Sequence, residues 1–159
     1  MNHNQQDDRL TIAEYWERSQ GTDLQPNSVA PVSQNMLHWW RRSPSAYAAY
    51  LRDALCRKYI HDGERLTFLE VGAAPGRNLV KFHRDFGCTT FGVEYTDIGV
   101  KIMKDVLAAN QIPPANAIHS DFFDPQFHSQ YREAFDIVAS FGFLEHFDRP
   151  KDVVEKHLS

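Results

Sequence analysis

Three acidic residues, Glu70, Glu94 and Asp121, each stand at or just past the end of a short apolar run, beside residues able to frame a small ligand. The first opens the segment Glu70-Val-Gly-Ala-Ala-Pro-Gly76. There Gly72 and Gly76 permit a tight turn whose backbone can approach a ligand closely, and the amides that begin the next helix are free to hold a carboxylate. Glu94 follows 18 residues after Gly76, a position from which a carboxylate can accept both hydroxyls of a ribose. Asp121 adds an acceptor for an amino group on a purine, with Phe122 or Tyr95 able to stack on the ring. Ser140 and Phe141 follow the fourth apolar run, and His146 lies a few residues beyond. His146 is the candidate general base, with a structural or substrate-positioning role as the alternative. Three carboxylates at three successive run ends suit a ligand that carries an ammonium group, a ribose and an adenine.

Side chains so far apart in the chain meet only if the elements between them bring them to one edge. Residues 66–71, 89–93, 117–120 and 135–140 are short, unbroken apolar runs without a polar face, the pattern of strands buried on both sides. Helical stretches are expected at 76–85, 97–110 and 150–158. Strands alternating with helices imply parallel βαβ units with right-handed crossovers, hence an α/β, doubly wound sheet with helices on both faces. In such a sheet ligands bind at the carboxyl ends of the strands, where Glu70, Glu94, Asp121 and Ser140 fall. Residues 1–65 read as an N-terminal helical cap and residues 66–159 as the ligand-binding unit. Within the cap, helices are expected at 11–19, at 36–42 and from Ser43-Pro44 to about residue 60, with a loop at 21–33. Tyr15, Trp16, Trp39 and Trp40 would cover the site.

Composition narrows the options. Of 17 basic and 21 acidic side chains, residues 66–159 hold 9 and 13, so the net charge of −4 belongs to the second segment. Nucleic-acid binders draw affinity from a basic surface, and here Arg41 and Arg42 beside Trp39 and Trp40 form the one local basic-aromatic cluster, so nucleic acid is not an expected partner. The absence of a run of 18 apolar residues and the polar, acidic start point to a cytoplasmic protein without a membrane span. Cys56 and Cys88 are too few and too isolated for a disulfide framework or a cysteine zinc site, and both read as reduced, buried thiols. The spacing Gly-x-x-x-Gly, with Ala74 inside it, departs from the Gly-x-Gly-x-x-Gly dinucleotide fingerprint and weakens a nicotinamide reading.

Taken in order, Phe68-Leu-Glu-Val-Gly-Ala-Ala-Pro-Gly76, Phe91-Gly-Val-Glu-Tyr95, Ser120-Asp121-Phe122 and Phe135-Asp-Ile-Val-Ala-Ser-Phe-Gly-Phe-Leu-Glu-His146 resemble the motif series of Rossmann-like (class I) S-adenosylmethionine-dependent methyltransferases. The resemblance covers residues 66–159 and implies S-adenosyl-L-methionine as cofactor and the strand order 3-2-1-4. It implies that Glu70, Gly72, Ala74 and Gly76 line the methionine end, that Glu94 holds the ribose, and that Asp121 with Phe122 holds adenine, with Tyr95 and Ser140 completing the cofactor site. Ala74 stands where the family most often has glycine. Leu144-Glu-His146 after the fourth strand is similar to small-molecule methyltransferases of the ubiquinone and menaquinone biosynthesis type, which makes a small metabolite the expected acceptor. Some relatives bind a divalent metal through Glu-x-x-Glu-His; Gly142 occupies the first of those positions, and no metal is expected. Ala73-Ala74-Pro75-Gly76 is also similar to heat-shock-type ribosomal RNA 2′-O-methyltransferases, but Ser140 stands where these need an aspartate. An RNA 2′-O-methyltransferase and a non-catalytic cofactor-binding protein are the alternatives.

The last expectation concerns the end of the chain. Residues 151–159 read as a helix without a cap or a following strand, whereas the resemblance implies at least three further strands, so the catalytic domain is expected to be incomplete. The fourth strand would then form an apolar sheet edge, open to self-association.

Overall fold

The structure is a computed structural model that describes residues 9, 11, 14–18, 53–54, 56–61 and 65–158. The expected helix at 36–42, the loop at 21–33 and the residues Trp39, Trp40, Arg41 and Arg42 lie outside the described residues. Residues 14–18 are helical, inside the expected 11–19, as are 53–54 and 56–59, near the end of the third expected helix.

From Thr67 onward strands and helices alternate: β1 (Thr67–Val71), α1 (Arg77–Phe86), β2 (Thr89–Glu94), α2 (Asp97–Ala109), β3 (Ala117–His119), α3 (Pro125–Tyr131), β4 (Ile137–Ser140) and α4 (Pro150–His157). The four strands form one parallel sheet in the order β3-β2-β1-β4, the order that the family resemblance implies. In register, Leu69 lies opposite Phe91 on one side and Val138 on the other.

The sheet is covered on both faces because successive side chains of a strand point opposite ways. Phe68, Ile137 and Ala139 join Leu79, Val80 and Phe82 of α1 and Met103, Val106 and Leu107 of α2 in one apolar cluster. Leu69, Val71, Phe91, Val93 and Val138 face the other way and pack with Phe122, Phe127 and Tyr131 near α3. The rings of Phe68 and Phe82 stack at 4.0 Å, joining β1 to α1. Cys88 is fully buried, whereas Cys56 is only half-buried, because it lies in the helical segment 56–59 at the edge of the first cluster; neither cysteine is in a disulfide.

Element ends are set by local capping. α1 starts at Gly76, in the left-handed region at φ 93°, and ends at Gly87, φ 70°. Thr96 caps α2 by accepting from Gly99 N at 3.2 Å. β4 begins two residues later than expected. The Asp136 amide and carboxylate both bond to Thr67, at 3.1 Å to its carbonyl and 2.7 Å from its amide, tying the chain to β1 before the ladder opens. The sequence reading missed α3. Its signal is Asp124-Pro125, in which the aspartate accepts from Gln126 N at 2.8 Å and the proline takes the first helical position.

Candidate functional site

Parallel strands finish on a common edge, so β1, β2 and β3 deliver their last residues to one place. A cavity of about 150 Å³ lies there, lined by Val71, Gly72 and Ala74 after β1, Val93, Glu94 and Tyr95 at the end of β2, and Ser120, Asp121, Phe122 and Phe123 after β3. Phe141, Gly142, Phe143, His146 and Phe147, which follow β4, close a second side. Arg9, Thr11 and Trp16 close a third.

The turn after β1 is built for close approach. Gly72 has φ 68°, and the amides of Gly72 and Ala73 both donate to the Val93 carbonyl, at 3.0 and 3.3 Å, which anchors the turn to β2. A side chain at Gly72 would come within 2.7 Å of the Phe143 ring, so the loop after β4 sits directly against this turn. The Ala74–Pro75 bond is cis. Glu70, expected to line the methionine end, is instead buried at 2% exposure and does not line the cavity. It alternates with Leu69 and Val71 along β1, so its carboxylate points toward α1, where Oε1 accepts from Asn78 Nδ2 at 2.6 Å. Gly76 is buried against Met103 of α2, and Ser140 is the last residue of β4; neither lines the cavity.

Glu94 is 4% exposed and its Oε1 accepts three hydrogen bonds, from Tyr95 N (3.1 Å), Thr96 N (2.9 Å) and Thr96 Oγ1 (2.7 Å). That array fixes the carboxylate at the start of α2 and leaves Oε2 for a ligand. Asp121 closes its own turn by accepting from Phe123 N at 2.9 Å, while its other oxygen takes the guanidinium of Arg9. Phe122, expected to stack on adenine, reaches the cavity wall but is 6% exposed and has its ring packed edge-on against Phe123, Phe127 and Phe143. Tyr95 and Phe123 present the more accessible rings, and Arg9 lies over both, at 5.1 and 5.5 Å from their centroids.

His146 ends a single 3₁₀ turn, Leu144–His146. Its Nδ1 lies 3.1 Å from Thr11 Oγ1, and its ring meets Trp16 edge-on at 4.8 Å. Trp16 does cover the site, whereas Tyr15 is 56% exposed. Gly142, at φ 69°, brings no ligand atom to the loop, and among the described residues no group of three or more His, Cys, Asp and Glu is placed to hold a metal ion. The residues that sequence reasoning missed are Arg9, Thr11 and Phe123, together with Phe143 and Phe147. Nothing in the spacing of Arg9 and Thr11 marks them, since contacts that span most of the chain bring them in, whereas Phe123, Phe143 and Phe147 stand in the segments after β3 and β4, within three residues of the expected Phe122 and His146.

The sheet order, the turn after β1 and the carboxylates at the strand ends define a doubly wound α/β protein with a candidate ligand site at the carboxyl edge of its sheet. A family model described as a methyltransferase domain matches residues 37–158, most of the chain, and the chain belongs to that family. The protein is thus a methyltransferase-domain protein with a Rossmann-like sheet. No curated protein matches the sequence.

Proposed function

We propose that the protein transfers a methyl group from S-adenosylmethionine to a small-molecule acceptor. The observation that carries this reading is the meeting of Glu94 Oε2, the Gly72–Ala74 turn and the Tyr95–Phe123–Asp121 group around one cavity, in a chain of the methyltransferase-domain family. The donor set fits the cofactor: a carboxylate for two ribose hydroxyls, a second for an adenine amine, and aromatic faces for the ring. Bound there, the cofactor supplies an electrophilic methyl on sulfonium. The protein's part is alignment and exclusion of water. Gly72 and Ala74 allow the backbone to approach, Asn78 holds Glu70 beneath the turn, and Phe141, Phe143 and Phe147 keep the far side apolar. His146, steadied by Thr11 and Trp16, is placed to take a proton from the acceptor. A small acceptor is favoured over a phosphate-rich one because, among the described residues lining the cavity, the one Lys or Arg is Arg9, and it is ion-paired with Asp121.

Titration calorimetry with S-adenosylhomocysteine tests the reading. Binding by the parent is expected, with a loss of about 1–3 kcal/mol in Glu94→Ala. Unchanged affinity in a folded Glu94→Ala variant refutes the ribose assignment, and tight NADH binding by the parent points to a dehydrogenase. Labelled cofactor incubated with a metabolite extract then identifies the acceptor.

A further inference from the structure

Arg9 sits where a cofactor of this kind would place its base. Its guanidinium pairs with Asp121 and lies over the Tyr95 and Phe123 rings, while its backbone pairs in an antiparallel bridge with Phe147. A guanidinium is planar, donates N–H groups to a carboxylate and stacks on aromatic faces. Those are the same three properties by which an adenine ring with its amino group would satisfy this set of residues. The two compete for the same space, since Arg9 already lies over both rings while it holds Asp121 Oδ2. Space leads to the same conclusion. With Arg9 in place the cavity holds about 150 Å³, whereas pockets for cofactor-sized ligands begin at roughly 300 Å³.

We propose that Arg9 is an internal occupant of the nucleoside subsite, carried on an N-terminal strap, and that its side chain must leave before the cofactor binds. The proposal rests on the cofactor reading given above. The strap is fastened beyond Arg9 as well: Thr11 Oγ1 and the Trp16 ring both meet His146, and Glu17 accepts from Asp97 N at 3.1 Å at the start of α2. One segment therefore touches both the base subsite and the candidate proton acceptor, so release of Arg9 couples cofactor entry to the surroundings of His146. The quantitative consequence follows from competition within one molecule. An occupied subsite divides the intrinsic affinity by the fraction of time it stands open, so an occupancy of about nine tenths weakens apparent binding about tenfold.

Two measurements test this. The first is calorimetry with S-adenosylhomocysteine on the parent and on Arg9→Met, which keeps an unbranched apolar stem but cannot pair with Asp121. About tenfold tighter binding by the variant is expected. The second needs no variant: phenylglyoxal labelling of the parent, read by peptide mass, with the exposed Arg149 as internal reference. Arg9 is expected to label more slowly than Arg149 in the free protein and to gain reactivity when S-adenosylhomocysteine is added. If the parent binds and Arg9→Met binds equally or more weakly, or if the ligand protects Arg9 from labelling, the proposal is overturned and Arg9 is part of the wall that holds the cofactor. If neither protein binds S-adenosylhomocysteine, the cofactor reading itself fails and this proposal fails with it. Binding by Arg9→Met alone is the strongest outcome in its favour.

Discussion

His146 is held on two sides by residues far away in the chain, Thr11 at Nδ1 and Trp16 in an edge-on ring contact. A general base needs a fixed direction, and the Thr11 contact at Nδ1 supplies it; in the tautomer with the proton on Nδ1, where the Thr11 hydroxyl accepts, Nε2 is left for an acceptor proton. His146→Ala is therefore expected to lower turnover about 10²-fold while leaving S-adenosylhomocysteine affinity nearly intact. A rise in KM alone would make His146 a positioning residue, and unchanged activity across pH would remove it from the mechanism. A second histidine bears on stability. Burial holds the His128 imidazole below its ordinary range; Lys156 and His157 push the same way, and a bond with the Phe122 backbone partly offsets them. The folded protein thus binds this proton less readily than the unfolded chain. Its contribution to stability is intact above the unfolded value of about 6.5 and declines as pH falls from there toward the lower folded value. Urea denaturation between about pH 7 and 5 should show stability falling in the parent and a shallower fall in His128→Gln. Equal slopes would mean that other groups govern the acid limb.

At the scale of the element, β2 shows how closely strand and helix are fitted. Gly92 lies on the face covered by α1 and α2, and a side-chain carbon there would come 2.6 Å from Ala73 Cβ, 2.7 Å from Leu79 Cδ1 and 2.8 Å from Met103 Sδ. No single neighbour can yield, because all three belong to the same packed cluster. Gly92→Ala should therefore destabilise by about 1–3 kcal/mol through overpacking, seen as a lower urea midpoint at unchanged slope. A midpoint at or above that of the parent would show that the α1–α2 layer can move outward. The same fit links stability to the site, since Ala73 lies within the turn that Gly72 opens onto the cavity.

For the whole molecule, β4 has a hydrogen-bonded neighbour only on its β1 side among the described residues, and its four residues are half-buried. We propose that the 159-residue chain self-associates through this edge, since an apolar strand with unpaired backbone groups is a template for another strand. Size-exclusion chromatography over a range of concentrations should show earlier elution as concentration rises. A concentration-independent monomer that melts cooperatively would refute this.

The alternation of strands and helices and the parallel pairing were legible in the sequence because they depend on local pattern, whereas the strand order followed from the family resemblance. Unbroken apolar runs mark strands buried on both faces, and parallel strands end together, so Glu94, Tyr95, Asp121 and Gly72 had to fall close to one another. The α3 helix was missed: Asp124-Pro125 marks its start, but at seven residues it carries little periodic signal. Which way each side chain turns at those strand ends is a different matter. Alternation along β1 sends Glu70 under the turn to Asn78, and the aromatic cluster around Phe122 draws that ring into the core and leaves Tyr95 and Phe123 facing the cavity. The contacts of Arg9 with Asp121 and of Thr11 with His146 join residues 112 and 135 positions apart. No spacing rule reaches that far. Only the folded chain decides such contacts, because they follow from where the N-terminal segment crosses the sheet edge.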